Sequence, residues 1–183
     1  LEFPLFVKPV SEGTGKGITD KSLVKNISEL KSIVEWILKE FNQPALVEEY
    51  LPGREFTVGV IGHGDQAYAI GGMEVITADN LPYSVHVKEN YHDYCKYLPL
   101  SDDIAEECKS VAVNAWKALD AVDGGRVDVK ADRNGRICFI EANPLAGLNP
   151  VHSDLPILAR MYNIDYQKLL EMIMSAALKR ISG

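Results

Sequence analysis

Between Gly125 and Pro144 the chain reads GRVDVKADRNGRICFIEANP, and this stretch carries the residues best able to do chemistry. Alternation sets Arg126, Asp128 and Lys130 on one face of a strand, with Val127, Val129 and Ala131 on the other. On the return, Glu141 and Asn143 share a face while Cys138 and Ile140 point away. Asn134-Gly135 between them suits a two-residue type I′ turn, whose central residues both need positive φ. With Arg133 then facing Arg136, counting back sets Asp128 directly opposite Glu141. Opposed Cβ atoms lie roughly 4.5–5.5 Å apart, where like charges destabilise. At an effective dielectric of about 20 the repulsion is on the order of 3 kcal/mol.

Something positive must answer that pair. One reading is a hard divalent cation such as Mg²⁺, because Asp128, Glu141 and the Asn143 amide offer only oxygen and leave room for substrate phosphates. The other is a solvated face on which Arg126 and Lys130 pair with the acids. A one-residue slip of register would break the opposition, so both stay open.

A second candidate lies near the start. Lys8 ends a β-rich run, Leu1 to Pro9, and is followed by Ser11-Glu12-Gly13-Thr14-Gly15-Lys16-Gly17. Closely spaced glycines let backbone N–H groups turn towards an anion. A Walker A loop is excluded: Val10 stands five before Gly15, and Gly17 stands where Ser or Thr should follow the lysine. Either a phosphate loop or an ordinary connection fits these residues. Glu48 and Glu55 bracket the Leu51-Pro52-Gly53 turn, where acids are commonly solvated strand ends.

The elements that would position these groups follow from periodicity. Helices are expected at Ser28–Phe41, with Ser28 as N-cap and Leu30, Ile33, Val34, Ile37, Leu38 and Phe41 as the apolar stripe, and at Asp102–Leu119. A short helix should span Leu155–Met161. A last one should span Tyr166–Ile181, turning Leu169, Leu170, Ile173, Met174 and Ala177 inward. Strands are expected at Ala45–Glu49, Glu55–Ile61 and Ala67–Thr77. Asn80 to Pro99 lacks periodicity and is rich in Tyr, His and Lys, which suits an ordered lid. Trp116 is expected in the core. The fold class is α+β, with mostly antiparallel sheets in two lobes, residues 1–50 and 51–183, hinged near Tyr50 to Gly53.

Composition narrows the function classes. A net charge of −7 argues against binding nucleic acid through phosphates. No apolar run approaches the roughly 18 residues of a membrane span. Three cysteines, Cys95, Cys108 and Cys138, lack metal spacing and read as reduced thiols of a cytoplasmic protein. The chain has no initiator Met and opens inside an apolar run, which reads as part of a longer protein.

Four separated segments agree with one another: FPLFVKP with EGTGKG, LVEEYLPGREFTV, HDYCKY, and GRVDVK with NGRICFIEANPLAGL. Together they resemble the ATP-grasp fold, and within it the D-alanine–D-alanine ligase family, over essentially the whole chain. The resemblance implies an ADP-forming ligase that uses ATP and Mg²⁺ (or Mn²⁺) to make D-alanyl-D-alanine for peptidoglycan through an acyl phosphate. It implies that Lys8 and Lys96 reach the ATP phosphates, that the Gly13, Thr14, Gly15 loop closes over them, and that Glu48, Glu49, Tyr50 and Leu51 meet adenine. Glu55 would bind the ribose. Asp128, Glu141 and Asn143 would be the metal ligands. Arg126 and the Gly147 backbone would hold the oxyanion, and Ser153 with Leu155 would meet the second amino acid. The partners implied are ATP, amino acids such as D-alanine and a missing N-terminal domain of the same protein, with a homodimer left open.

Three departures bear on specificity: Thr14-Gly15 where two serines are usual, Glu49 where Lys is common, and Asn143-Pro144-Leu145-Ala146-Gly147 after Glu141. A ligase for another dipeptide or amino acid, or a phosphotransferase on the same nucleotide site, therefore stands as the alternative. A nucleotide-binding regulatory module has little use for both acids. On the hairpin alone, replacing Asp128 by Asn is expected to relieve repulsion and stabilise the metal-free protein.

Overall fold

The structure is a computed structural model that describes residues 1–13, 15–77 and 95–182, the side chains of Thr77 and Cys95 apart. The chain divides into two compact units: Leu1–Pro52 with Ile76–Lys96, and Gly53–Val75 with Tyr97–Gly183. The division falls between Pro52 and Gly53.

The first unit holds a three-stranded antiparallel sheet in the order β2-β1-β3, with β1 at Leu5–Pro9, β2 at Leu23–Val24 and β3 at Ala45–Glu49. Strand β1 begins after Pro4, four residues later than expected, since proline has no N–H for the ladder. Helix α1, Ile27–Phe41, lays Ile33 and Ile37 against Leu5, Val7 and Val24, with Leu30, Val34 and Phe41 at the margin. Leu38, expected on this stripe, is exposed. The N-cap is Asn26 rather than Ser28. Its side chain accepts from Ser28 N at 3.1 Å and Glu29 N at 3.0 Å, and Glu29 reaches back to Lys25 N at 2.7 Å. Asn caps as well as Ser, and here it brings a reciprocal acid three residues on.

The second unit is built on a five-stranded sheet ordered β6-β5-β4-β7-β8. Its strands are β4 at Glu55–Ile61, β5 at Tyr68–Thr77, β6 at Cys95–Pro99, β7 at Gly124–Ala131 and β8 at Ile137–Asn143. The β4/β5, β4/β7 and β7/β8 pairs are antiparallel. Helix α2, Ile104–Ala118, covers one face, where Cys108, Ala112 and Trp116 meet Phe56, Val58, Val60, Val127 and Val129. Trp116 is fully buried as expected, and its Nε1 donates to Gly62 O at 3.0 Å. At Gly59 the opposite face admits Leu155 and Leu158 of α3, Asp154–Met161. Helix α4, Tyr166–Ser182, adds Leu169 and Ala176 to that packing. Met174 is 59% exposed, contrary to expectation. At 100° per residue it lies about 140° round the helix from Leu169, beyond the inward stripe. The α+β class expected from periodicity is the one observed.

Candidate functional site

The β7–β8 hairpin closes differently from the expected two-residue turn. Asp132 N donates to Arg136 O at 2.9 Å and Gly135 N donates to Asp132 O at 3.1 Å. Gly135 has φ +84°, while Asn134 is not left-handed. Arg133-Asn134-Gly135 is therefore a three-residue loop, a turn finished by one left-handed glycine. The cause is Asp132, whose Oδ1 accepts from Asn134 N at 2.8 Å and Arg136 N at 3.0 Å and so sets the loop from within. Those two N–H groups hold its carboxyl below the usual carboxylate range.

The longer loop shifts the ladder by one residue, giving Ala131↔Ile137, Lys130↔Cys138 and Val129↔Phe139. A bulge between Asp128 and Val129 then shifts it back. Asp128 faces Glu141, and Arg126 faces Asn143, as counting along the strands sets them. The expected turn was wrong and the expected pairing is present, because a one-residue error at the tip is cancelled at Ile140.

Register carries the same face across to β4, where Gly59, Thr57 and Glu55 lie opposite Arg126, Asp128 and Lys130. Arg126 and Asp128 are buried there, 7% and 6% exposed. Arg126 Nη1 donates to Asp128 Oδ1 at 2.7 Å, with Asp154 Oδ2 at 3.5 Å; its Nη2 lies 3.9 Å from Glu141 Oε1. Thr57 Oγ1 donates to Asp128 Oδ1 at 2.8 Å, and Asn143 Nδ2 donates to Glu141 Oε1 at 3.1 Å. Lys130 pairs with Glu55 at 2.8 Å. The repulsion expected between Asp128 and Glu141 is thus met by Arg126. Three carboxylates, Asp128, Glu141 and Asp154, surround that one guanidinium.

Among the described residues no group of three or more His, Cys, Asp or Glu side chains is arranged to hold a metal. Two carboxylates and an amide on one face still fit a hard cation that keeps water or phosphate for its other ligands, which is the habit of Mg²⁺.

After β8, Gly147 lies against Ser153 so closely that a Cβ would meet Ser153 Oγ at 2.7 Å. Ser153 Oγ accepts from Asn149 N at 3.0 Å, and Asn149 Oδ1 accepts from Val151 N at 2.9 Å. Ser153 immediately precedes α3. Leu155, expected to meet an amino acid, points into the core and is 1% exposed.

In the first unit Lys8 Nζ lies 2.7 Å from Glu48 Oε2, a diagonal cross-strand pair, since Lys8 faces Leu46 and Phe6 faces Glu48. Glu49 faces Leu5 on the other side of β3, and Tyr50 N donates to Pro4 O at 3.4 Å just before Leu51. In the glycine loop Lys16 N donates to Gly13 O, and Ile18 N to Gly15 O, both at 3.1 Å. Gly15 and Gly17 have positive φ, and Gly13 has open space around it. Lys16 lies 2.9 Å from Glu12 and holds that carboxyl below its usual range. Thr14 lies outside the described residues, as does the expected lid apart from its last strand, in which Lys96 is exposed.

Thr57 and Asp154 were not anticipated. Thr57 sits in an ordinary β-rich run and becomes polar machinery only through pairing 71 residues away. Asp154 reads as a first-turn helix acid, and nothing local shows that Arg126 comes to meet it.

Two antiparallel sheets with flanking helices, one carrying a glycine loop and the other an acid-lined face, define an ATP-grasp fold, the fold of the solved ligases that superpose on this chain. The chain belongs to the family described as D-ala D-ala ligase C-terminus, whose model matches residues 1–175. It is 33% identical over 178 residues to a D-alanine–D-alanine ligase of Bordetella petrii, covering 97% of this chain and 53% of that one. It is 29% identical to one of Geobacillus thermodenitrificans, covering 98% and 48%. A crystal structure of the Bacillus anthracis D-alanine–D-alanine ligase complexed with ATP superposes with a TM-score of 0.74 at 25% identity, covering 99% of this chain and 55% of that one. The chain thus spans about half the length of the curated relatives it matches. Among the described residues no helix is long and apolar enough to cross a membrane.

Proposed function

We propose that this chain is the nucleotide- and metal-binding portion of an ADP-forming carboxylate–amine ligase, most simply one that makes D-alanyl-D-alanine in the cytoplasm for peptidoglycan. The observation that carries the reading is the Asp128–Glu141 pair on one face with Arg126, in a chain of this family. Making an amide from a carboxylate needs a leaving group. ATP supplies it: the carboxylate oxygen attacks the γ-phosphorus, ADP departs, and the amine of the second amino acid then displaces phosphate from the acyl phosphate.

Phosphoryl transfer asks for positioning and charge neutralisation. Lys8 and Lys96 offer cationic reach to the phosphates, and the Gly13 to Gly17 loop offers backbone N–H groups. Glu48 through Leu51 would frame the adenine and Glu55 the ribose hydroxyls. Asp128, Glu141 and Asn143 would hold Mg²⁺, which when bound draws negative charge from the phosphate oxygens. Arg126 and the Gly147 N–H would stabilise the tetrahedral oxyanion, with Ser153 orienting the incoming amino acid. In the full-length protein a further domain, of the kind that would account for relatives about twice as long, would supply part of the first amino-acid site. This chain alone should bind nucleotide weakly and make no dipeptide.

The departures at Thr14-Gly15, Glu49 and Pro144-Leu145-Ala146 favour a second reading, in which the same chemistry serves another amino-acid pair. The test is a substrate panel on the full-length protein, scored for phosphate release and product mass. ADP, phosphate and D-alanyl-D-alanine are expected. A different dipeptide moves the reading to the second ligase, and a phosphorylated product without an amide overturns both.

A further inference from the structure

Asp154 opens α3, one residue after Ser153, with a side chain 12% exposed. One carboxylate oxygen lies 3.5 Å from Arg126 Nη1, and the other accepts from Tyr97 Oη at 3.3 Å. Arg126 meanwhile is held more tightly by Asp128. These arrangements compete with the proposed metal site. A cation on Asp128 and Glu141 takes the oxygens that Arg126 uses and repels the guanidinium. A guanidinium buried that deeply needs another anion at once. Asp154 is within reach, already oriented, and outside the metal's donor set.

We propose that Asp154 is a positioning residue: it takes over Arg126 when a divalent cation occupies Asp128 and Glu141, keeping the guanidinium in the site and out of the metal's way, with Tyr97 fixing its rotamer. Without it Arg126 stays on Asp128 and competes with the metal. The kinetic arm of the test rests on the ligase reading and the binding arm does not.

The experiment is a double-mutant cycle on the full-length protein, with Mn²⁺ titrated in the presence of a non-hydrolysable ATP analogue and followed by its paramagnetic resonance signal. Asp154→Asn should weaken Mn²⁺ binding about tenfold, within the range of couplings between contacting residues. Asp154→Glu should restore most of it. In an Arg126→Ala background Asp154→Asn should add nothing, since there is no guanidinium left to displace. Tyr97→Phe, which removes one hydroxyl, should give about a threefold loss, in keeping with a single hydrogen bond. It carries the test if Asp154→Asn fails to fold. In turnover, Asp154→Asn should raise the Mg²⁺ concentration needed for half-maximal rate and lower the rate at limiting Mg²⁺.

Equal losses in both backgrounds, unchanged Mn²⁺ affinity in Asp154→Asn, or absence of Mn²⁺ binding by the parent protein would each overturn the proposal. A parent protein that binds Mn²⁺ with the expected coupling but forms no amide would sink the ligase reading alone.

Discussion

Arg126 sets the sign of what happens when its neighbours change. On opposed charges alone, Asp128→Asn should stabilise the metal-free protein. With Arg126 Nη1 at 2.7 Å and both groups over nine-tenths buried, the expected sign reverses. Removing one partner of a buried pair strands the other. Asp154 and Glu141 remain near the guanidinium, so the loss should be about 1–3 kcal/mol by analogy with a charged hydrogen bond. Chemical denaturation of the metal-free variant checks it, and a gain in stability would mean that Arg126 does not neutralise the facing acids. In the full-length protein the same change should cut metal-dependent ATP use by orders of magnitude. That Glu141 and Asn143 share a face was readable because strand alternation is a local rule; that this face meets Asp128 and Arg126 also depends on the bulge at Ile140. Thr57 and Asp154 were not readable, because each gains its meaning from a side chain more than 25 residues away.

Elements show the same division between local and distant causes. Strands β3 and β4 end where apolar alternation ends, and the four helices among the described residues fall within two residues of their expected starts. Helix caps and hairpin tips were less readable, because Asn26 competes with Ser28, and Asp132 competes with the Asn134-Gly135 turn preference. The tip offers a direct check. Gly135→Ala meets no atom within 4 Å but keeps φ +84°, so it should cost about 1–2 kcal/mol of backbone strain alone. Asn134→Ala should cost less than about 0.5 kcal/mol, as an ordinary surface change. A type I′ turn would penalise both, so comparable losses in melting experiments would restore the two-residue turn.

At the scale of the whole chain, each unit has its own core, one under α1 and the others against the faces of the larger sheet. Cys108 reports on the larger unit. Burial, helped by Glu107 and Asp102, pushes its thiol up to about 12. An unfolded thiol ionises near about 8.5, so this group's contribution to stability is full below that pH and declines from there towards 12. At pH 8.5 a thiol reagent should modify half-buried Cys138 in the native protein and reach Cys108 only as that unit unfolds. Peptide mapping across a denaturant series measures both, and native labelling of Cys108 at the rate of Cys138 would contradict the packing under α2.

Twelve residues separate Asp128 from Glu141, and two hairpins fit that number: a two-residue turn on an unbroken ladder, or the three-residue loop with the bulge at Ile140. Both bring the acids face to face. Adopting only one of those features at the same length would shift the ladder by one residue, so that Glu141 no longer faced Asp128. Loop and bulge are thus exchangeable only as a pair: a homologue of equal length should carry both or neither, a backbone difference that a gapless alignment would hide.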